Sequence, residues 1–414
     1  MDNPARAAIF SPMKHDLIIV GGGLNGTALA LAAAQCGLTS VVLDALPAPT
    51  RTQDDFDGRS YALALSSQRM LDRLGLWDGL EDDAQPMLQI KVSDGRVGDA
   101  RVFLGLHFDS AEIEEGPMGY MVEDRYLRRA LMDAMEHSPQ ITTHSACRVI
   151  AQDTDQNGVT VTLEGGETVS ARLLVGADGR SSGTAQRAGI RRTGWGYGQT
   201  ALVCAIAHEK PHEGTAHQLF MPAGPLAILP LTGNRSSIVW SEKQDRAQAI
   251  NDLSEDDYLA VLRPRFGDFL GDIALAGTRF TYPLGLTLAN SFIDTRLALV
   301  GDAAHGMHPI AGQGLNAGLR DVAALAHVLS HASRRGEDIA SDFTLARYQQ
   351  WRRWDTATLA ASTDLFNRLF SNDNPLLRAA RDIGMAAINA APGLRRGFIR
   401  EAAGLNGDLP DLMR

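Results

Sequence analysis

The most informative stretch of this chain reads Asp16-Leu-Ile-Ile-Val-Gly-Gly-Gly-Leu-Asn-Gly26. Its apolar half has the length of a buried strand and leads directly into a glycine-rich turn, after which an Ala- and Leu-rich run to Cys36 predicts a helix. A second apolar run, Ser40 to Leu43, ends in Asp44. Strand, GxGxxG turn, helix and a second strand with a terminal acid are typical of a βαβ unit that binds a dinucleotide.

Each position of this fingerprint has a physical role. Gly21 makes the tight turn, Gly23 leaves room for a pyrophosphate, and Gly26 lets the helix pack closely on the strand. Asp44 is placed to accept hydrogen bonds from ribose hydroxyls. The fingerprint does not distinguish NAD from FAD, but the chain holds no second GxGxxG followed by a strand and an acid.

A second glycine-rich connection lies between Leu299 and Asp321 and reads LVGDAAHGMHPIAGQGLNAGLRD. A short buried strand ends at Gly301-Asp302, and apolar residues recur at helical spacing from Gly314 onwards. Ordinary connections of this kind need about two to six residues. Because backbone N–H groups at a helix start favour negative charge, we interpret this loop as a contact surface for a large cofactor.

A third strand ends in Asp178-Gly179. Alone, an Asp-Gly pair is better explained as a plain turn. Since Asp302 stands at the end of another strand, and ligands of open α/β sheets bind at the carboxyl ends of strands, binding is the favoured interpretation.

Two arginines are further candidates for binding an anion. The stretch 57–77 is predicted to form a helix, with Arg59 just before its first helical turn, and Arg125 lies in the first turn of an amphipathic helix over 123–135. Simple solvent exposure remains the alternative for both side chains.

Composition excludes several classes of function. The chain has 414 residues, 44% of them hydrophobic, and on size alone should form about two or three structural units. Its formal net charge of -10 and the lack of a basic run exclude nucleic acid as an expected partner. The three cysteines lack the spacing of a metal site or a disulfide framework, which predicts a cytoplasmic protein without a metal. No apolar run reaches the roughly 18 residues of a membrane span.

Three further runs carry a family resemblance: DGRSYALALS from Asp57, HPIAGQGLNAGLRD from His308, and GLNGDLP from Gly404. Together with the glycine turn and the Asp-Gly pair, they resemble the ubiquinone-biosynthesis hydroxylases, FAD-dependent monooxygenases with a p-hydroxybenzoate hydroxylase-like fold. The similarity runs from Asp16 to Pro410. The implied fold class is α/β, with a Rossmann-like FAD-binding domain interleaved with a mainly β substrate domain and followed by a C-terminal helical region.

The expected organisation follows the changes in sequence pattern along the chain. We expect a flexible N-terminal tail at 1–15 and an FAD-binding domain assembled from 16–84, 118–193 and 285–340. A substrate-binding β domain is expected at 85–117 and 194–284, and a helical region at 341–414.

By the resemblance, the βαβ unit binds the ADP half of FAD, and the loop at 301–316 borders the flavin ring. The implied catalytic positions are His308, Pro309 and Gly314. The implied cofactor-binding positions are Gly21, Gly23, Gly26, Asp44, Arg59, Arg125, Val149, Asp178, Gly301, Asp302, Pro309, Gly314, Leu315 and Asn316. The family pattern departs at Ala185, which stands where relatives have arginine, so a nucleotide-binding role for nearby Arg187 is in doubt.

The resemblance also implies the chemistry. NAD(P)H would reduce FAD, O2 would form a flavin C4a-hydroperoxide, and one oxygen atom would pass to a polyprenylated phenol or benzoquinol intermediate of ubiquinone biosynthesis. Two alternatives stay open, namely a hydroxylase of small soluble phenols and a non-catalytic subunit of a quinone-synthesis assembly. Whether His305 or His308 takes part in proton transfer also stays open.

The lipid-like substrate suggests an apolar pocket between the β domain and the flavin, other ubiquinone-synthesis proteins as partners, and peripheral contact with the inner face of the membrane. The tail at 374–414 mixes apolar residues with arginines. A helix packed on the protein body is favoured over a membrane-surface helix for this tail.

Overall fold

The computed structural model describes residues 15–48, 55–94, 105–265, 267–307, 312–370 and 388–414, with side chains left out at 94 and 366–370. The tail expected at 1–15 lies, except for His15, outside these ranges. The candidates His308 and Pro309 lie outside them as well.

The strands are numbered in chain order. They are β1 His15–Val20, β2 Ser40–Leu43, β3 Ser60–Ala64, β4 Ala84–Pro86, β5 Gln89–Asp94, β6 Leu106–Asp109, β7 Gly119–Glu123, β8 Ile141–His144, β9 Val149–Thr154, β10 Val159–Leu163, β11 Thr168–Gly176, β12 Arg192–His208, β13 Thr215–Met221, β14 Gly224–Leu231, β15 Arg235–Lys243, β16 Ile273–Leu275, β17 Phe280–Ala289, β18 Ile293–Asp294, β19 Leu297–Leu299 and β20 His305–Gly306.

The α-helices are numbered in the same way. They are α1 Leu24–Gln35, α2 Leu65–Arg73, α3 Asp124–Glu136, α4 Gly183–Arg187, α5 Gln244–Asn251, α6 Glu255–Leu262, α7 Gln313–Arg334, α8 Asp342–Phe370 and α9 Pro392–Ala402.

The first sheet has a parallel core in the order β19-β11-β1-β2-β8, extended by β18 and by the β9–β10 hairpin. Strand β1 lies in its centre, where Leu17, Ile18 and Ile19 are fully buried. Helix α1 packs against α3 and the long helix α7. Because the strands are parallel, the loops that follow β1, β11 and β19 meet at one edge of the sheet.

The second sheet is mostly antiparallel and has the order β20-β17-β12-β15-β14-β13-β5-β6, with β16 also paired to β12. Helices α5 and α6 cover one face, where Trp240 and Tyr258 form part of the buried core. A small sheet, β3-β7-β4, joins the two parts. Strand β17 crosses the boundary expected at 284/285, and the proposed division into domains stays a prediction.

One secondary-structure prediction was wrong. The stretch 57–77 was expected to form a single helix, but Ser60–Ala64 is strand β3, paired antiparallel with β7 through Ala62 and Met121, and helix α2 begins only at Leu65. The partner strand lies about 60 residues further along the chain, so a local helical pattern could not reveal this pairing.

The described part of the C-terminal region is largely helical. Helix α8 lies along α7, and α9 buries Ile399 completely. Two arginines of the tail form ion pairs with acids of the protein body: Arg395 lies 2.7 Å from Glu112, and Arg400 contacts Glu115. The described part of the tail therefore packs on the protein body, in agreement with the favoured interpretation. Within the described ranges, no helix combines the length and the apolar character that crossing a bilayer requires.

Candidate active site

Three sequence motifs meet at the start of α1. A Cβ atom at Gly21 would lie 2.4 Å from the carbonyl oxygen of Ala177, and one at Gly26 would lie 1.9 Å from the carbonyl oxygen of Gly21. A Cβ at Gly301 would lie 2.2 Å from Nδ2 of Asn25. Glycine is needed at Gly21 and Gly26 because backbone packs against backbone there, and at Gly301 because the side chain of Asn25 fills the space of a Cβ. The structure thus brings together the three sites that the sequence separates by about 280 residues.

Two other glycines face open space. A Cβ at Gly23 or at Gly314 would have no atom within 4 Å. Each lies at the start of a helix, α1 or α7, that has neither a side-chain cap nor an acid in its first turn. The N–H groups of a helix start beside unfilled space suit an anionic ligand that the backbone must approach closely, as FAD requires. Leu315 lies in the same first turn of α7.

Asp44 holds the glycine-rich turn in place. Its Oδ2 accepts a hydrogen bond from the N–H of Gly22 at 2.6 Å, and its Oδ1 accepts one from the N–H of Leu46 at 2.7 Å. A carboxylate has about four acceptor positions, so these bonds leave room for a ribose hydroxyl. The contact with ribose stays a prediction.

The carboxylate of Asp178 is used inside its own loop. It accepts hydrogen bonds from Oγ of Ser182 and from both the N–H and Oγ1 of Thr184, the latter two at 2.9 Å, and so orders the start of α4. Arg187 at the end of α4 turns back and donates to the carbonyl of Val149 at 3.2 Å. Val149 itself is buried. For both Asp178 and Val149, the direct contact with cofactor stays a prediction.

Arg59 and Arg125 lie at neighbouring ends of the paired strands β3 and β7, where the N–H of Asp124 donates to the carbonyl of Arg59. Arg59 pairs with Asp57 at 2.7 Å and Arg125 with the buried Glu123 at 2.8 Å. Neither arginine is simply solvated, because each is paired with a neighbouring acid. Their binding to an anion stays a prediction.

Asn316 locks the start of α7 to the small sheet. Its Oδ1 accepts from the N–H of Ala64 at 2.9 Å and from Oγ of Ser67 at 2.8 Å, and its Nδ2 donates to the carbonyls of Ala62 and Gly312. These bonds use the full capacity of the amide. The side chain therefore positions the helix start, and a direct contact of Asn316 with the cofactor stays a prediction.

We expect Asn316→Ala to weaken both stability and cofactor binding. Loss of the amide leaves buried backbone groups at Ala62 and Ala64 without partners, which costs about 1–3 kcal/mol for such a group. Urea unfolding of the apoprotein should show a decrease of roughly 2–3 kcal/mol, and FAD affinity should fall with it. The matched control is Asn157→Ala in an exposed hairpin turn, expected to stay within about 0.5 kcal/mol of the wild type. Equal effects of the two substitutions would show that Asn316 has no such role.

The comparisons with known proteins agree with this geometry. Residues 14–361 match the family described as FAD binding domain. Ubiquinone hydroxylase UbiL of Rhodospirillum rubrum is 48% identical over 402 residues, which cover 96% of this chain and 92% of that protein. The 3-demethoxyubiquinol 3-hydroxylase of Escherichia coli is 37% identical over 393 residues, covering 94% of this chain and 98% of that protein.

The chain belongs to the ubiquinone hydroxylase family of FAD-dependent monooxygenases. The crystal structure of p-nitrophenol 4-monooxygenase PnpA from Pseudomonas putida DLL-E4 superposes with a TM-score of 0.78 at 21% identity, covering 95% of this chain and 98% of that chain. This likeness confirms the expected α/β fold of the p-hydroxybenzoate hydroxylase type. FAD is therefore the cofactor of this enzyme.

The loop at 301–316, which is predicted to border the flavin and is called the flavin loop below, is anchored at its start by a buried carboxylate that the sequence did not reveal. Asp321 is fully buried and accepts hydrogen bonds from the N–H of Gly301 at 2.9 Å, from Nε2 of His305 at 2.6 Å and from Nε of Arg352 at 2.7 Å. An acid on the apolar face of α7, between Leu319 and Val322, was the available signal.

Burial on its own raises the pKa of Asp321, but His305 and Arg352 outweigh burial and hold this pKa below the ordinary value of 3.8. The carboxylate is therefore ionised at neutral pH.

Asp302, next to Gly301, is 40% exposed and pairs with Arg180 at 3.2 Å. It is therefore accessible to a ligand, and its contact with the cofactor stays a prediction.

A cavity of about 590 Å³ opens beside the second sheet of the enzyme, lined among others by Tyr197, Gln199, Pro222 and Lys243. Tyr197 also packs against an apolar cluster. The buried members of this cluster are Leu286, Met307, Ala317 and Ala360. Tyr197 therefore connects the cavity to this apolar cluster, whose member Met307 is the last residue described before position 312.

Proposed function

We propose that this monooxygenase hydroxylates the ring of a polyprenylated phenol or benzoquinol intermediate of ubiquinone biosynthesis, with NAD(P)H as reductant and O2 as oxidant. The observation that carries the proposal is the 48% identity to ubiquinone hydroxylase UbiL over nearly the whole of both chains. FAD, when bound, would supply the redox chemistry: it takes electrons from NAD(P)H and activates O2. One oxygen atom then enters the ring and the other leaves as water.

The chain's own residues bind the cofactor and hold it in position. The open position at Gly23 and the first N–H groups of α1 suit the pyrophosphate, and the N–H groups at the start of α7 suit negative charge on the reduced flavin ring. Asn316 and Asp321 hold these groups in position. We assign no proton transfer to His305, because it is 1% exposed and its Nε2 is bonded to Asp321.

We infer that the substrate enters through the cavity at Tyr197. Its volume of about 590 Å³ falls in the range of roughly 300–1,000 Å³ that ligand sites occupy. The apolar cluster of Leu286 and Met307, against which Tyr197 of the cavity packs, suits a prenylated ring and would keep water from the oxygen-transfer step. Because the substrate is membrane-bound, we propose that the enzyme collects it at the inner face of the membrane or from another protein of ubiquinone synthesis.

A second candidate, hydroxylation of a small soluble phenol, is favoured by one observation. Lys243 lines the same cavity and offers a cation that could anchor a carboxylate. The two candidates differ in whether a prenyl chain or an acid is required.

Turnover assays separate these functions. Purified holoenzyme, NAD(P)H and O2 are combined either with a short-chain prenylated quinol lacking one ring oxygen or with soluble hydroxybenzoates, and the products are identified by mass spectrometry. We expect a gain of one oxygen only on the prenylated compound. In a strain that lacks the gene, the ring precursor lacking that oxygen should accumulate.

Hydroxylation of the soluble phenols alone would replace the proposal by the second candidate. If NAD(P)H did not reduce the flavin in the presence of substrate and no product formed, the protein would be a non-catalytic subunit.

A further inference from the structure

Three potential metal ligands converge at the end of α7 that lies far from the flavin loop. His327 and His331 are one helical turn apart, and Asp411 belongs to a short 3-10 turn, Asp411–Met413, that closes the chain. Nδ1 of His327 lies 3.1 Å from Oδ2 of Asp411, and Nε2 of His331 lies 3.8 Å from the same oxygen. All three ligand atoms lie within 4.8 Å of one another.

The residue types and their spacing suit a transition-metal ion. Residues four apart share one face of a helix, and the two imidazole rings lie parallel with centroids 4.2 Å apart. Two imidazoles and a carboxylate are ligands that Zn²⁺, Co²⁺ and Ni²⁺ accept, at about 2.0–2.2 Å for zinc. His331 and Asp411 are 44% and 57% exposed, so their side chains can rotate to close the remaining gap.

A second observation points to a ligand at the same place. Nδ1 of His327 is buried and, despite the nearby carboxylate, forms no hydrogen bond of acceptable geometry with any described residue. Trp351 packs edge-on against this ring at 5.2 Å and limits its movement. Buried polar atoms are normally satisfied, and coordination of a metal ion would satisfy this nitrogen.

We propose that His327, His331 and Asp411 bind one divalent transition-metal ion, with zinc as the natural occupant. Three protein ligands leave at least one position for water. His327 is 14 residues beyond Gln313, which at about 1.5 Å per residue places the ion about 21 Å from the start of α7. The ion is therefore too distant to act on the hydroxylated ring, and the proposal does not depend on the proposed substrate.

The position of the site indicates a structural role. Met413 is fully buried, and Arg73 donates to the carbonyl of Arg414, so the final turn already packs on the protein body. An ion held by Asp411 and by two histidines of α7 would fasten this turn to the helix whose other end carries the flavin loop. Binding to the folded state only stabilises that state.

The test uses the full-length holoenzyme, free of any histidine tag and treated with a chelator. Zn²⁺ is titrated by calorimetry, and Co²⁺ is titrated while its visible absorption is recorded. We expect one ion per chain, a Co²⁺ spectrum typical of nitrogen and oxygen ligands, and a rise in the thermal unfolding midpoint with Zn²⁺. His331→Gln and Asp411→Asn should each lower the affinity by at least about tenfold.

Two matched controls keep the test specific. His137→Gln removes an exposed histidine of another helix end, and Asp408→Asn removes an exposed acid of the same C-terminal segment. Both should bind Zn²⁺ as the wild type does. Absence of stoichiometric binding, or unchanged binding in the double variant His331→Gln/Asp411→Asn, would overturn the site. Binding without a change in the unfolding midpoint would overturn its structural role.

Discussion

We expect the Gly23→Val protein to be folded and colourless. Gly23 has an extended backbone with φ of -74°, which valine adopts without strain, and a Cβ at this position meets no protein atom within 4 Å. The added side chain would occupy the space through which the pyrophosphate approaches the N–H groups of α1. FAD affinity should fall by at least about 100-fold, equivalent to about 2.7 kcal/mol. Absorbance near the flavin bands and circular dichroism measure cofactor content and folding separately.

Two other glycines provide the controls for this experiment. Gly165→Val, in the turn between β10 and β11, also meets open space but lies in an exposed hairpin, and it should retain FAD. Gly26→Val places a Cβ 1.9 Å from the carbonyl oxygen of Gly21 and should fail to fold. A Gly23→Val protein that is as yellow as the wild type would remove the assignment of the βαβ turn to FAD.

Substitution of Asp321 by asparagine should cost about 3–5 kcal/mol of stability. The change leaves the guanidinium of Arg352, 2% exposed, without its main counter-charge and weakens the acceptor of the Gly301 N–H. Because Gly301 and Asp302 are predicted to contact the cofactor, FAD should dissociate more readily from the variant. Urea unfolding of the apoprotein and the FAD dissociation constant measure the two effects.

A double-mutant cycle tests whether the loss arises from this ion pair. The combination Asp321→Asn/Arg352→Met should cost less than the sum of the single changes by about 0.5–3 kcal/mol. Asp355→Asn removes a second carboxylate partner of Arg352. Because Asp355 is 43% exposed, this change should cost about 1 kcal/mol or less. Additive single effects would contradict the coupling.

Unfolding measured at acidic pH provides a further test of the role of Asp321. Since the folded-state pKa of Asp321 lies below its ordinary value, the stability it contributes is complete above about pH 4 and is lost as the pH falls through the folded-state pKa. The Asp321→Asn protein should therefore lose less stability than the wild type over this acidic range.

The glycine-rich turn shows why part of the site could be predicted. Its strand, turn and helix are contiguous, so the roles of Gly21 and Gly26 depend on neighbours within one βαβ unit. The acids after β11 and β19 were found for a similar reason, since parallel strands bring their carboxyl ends to one edge. Open space at Gly23 and Gly314 agrees with the same predictions.

Other features depended on contacts between distant parts of the chain. Ser60–Ala64 forms a strand because β7 pairs with it, and Asn316 bonds to Ala64, 252 residues away. The sequence shows a helical pattern in the first case and a loop asparagine in the second. Local periodicity carries no information about either partner.

The sequence by itself therefore determined the βαβ unit and the positions of the strand-end acids, and it predicts the contact of the 301–316 loop with the flavin, because each is encoded by residues close together in the chain. Only the tertiary structure decided that Asp321, His305 and Arg352 form one buried network, and that His327, His331 and Asp411 converge. The physical reason is that the charge and hydrogen-bond partners of a buried group are set by which helices pack together, and that packing is visible only in three dimensions.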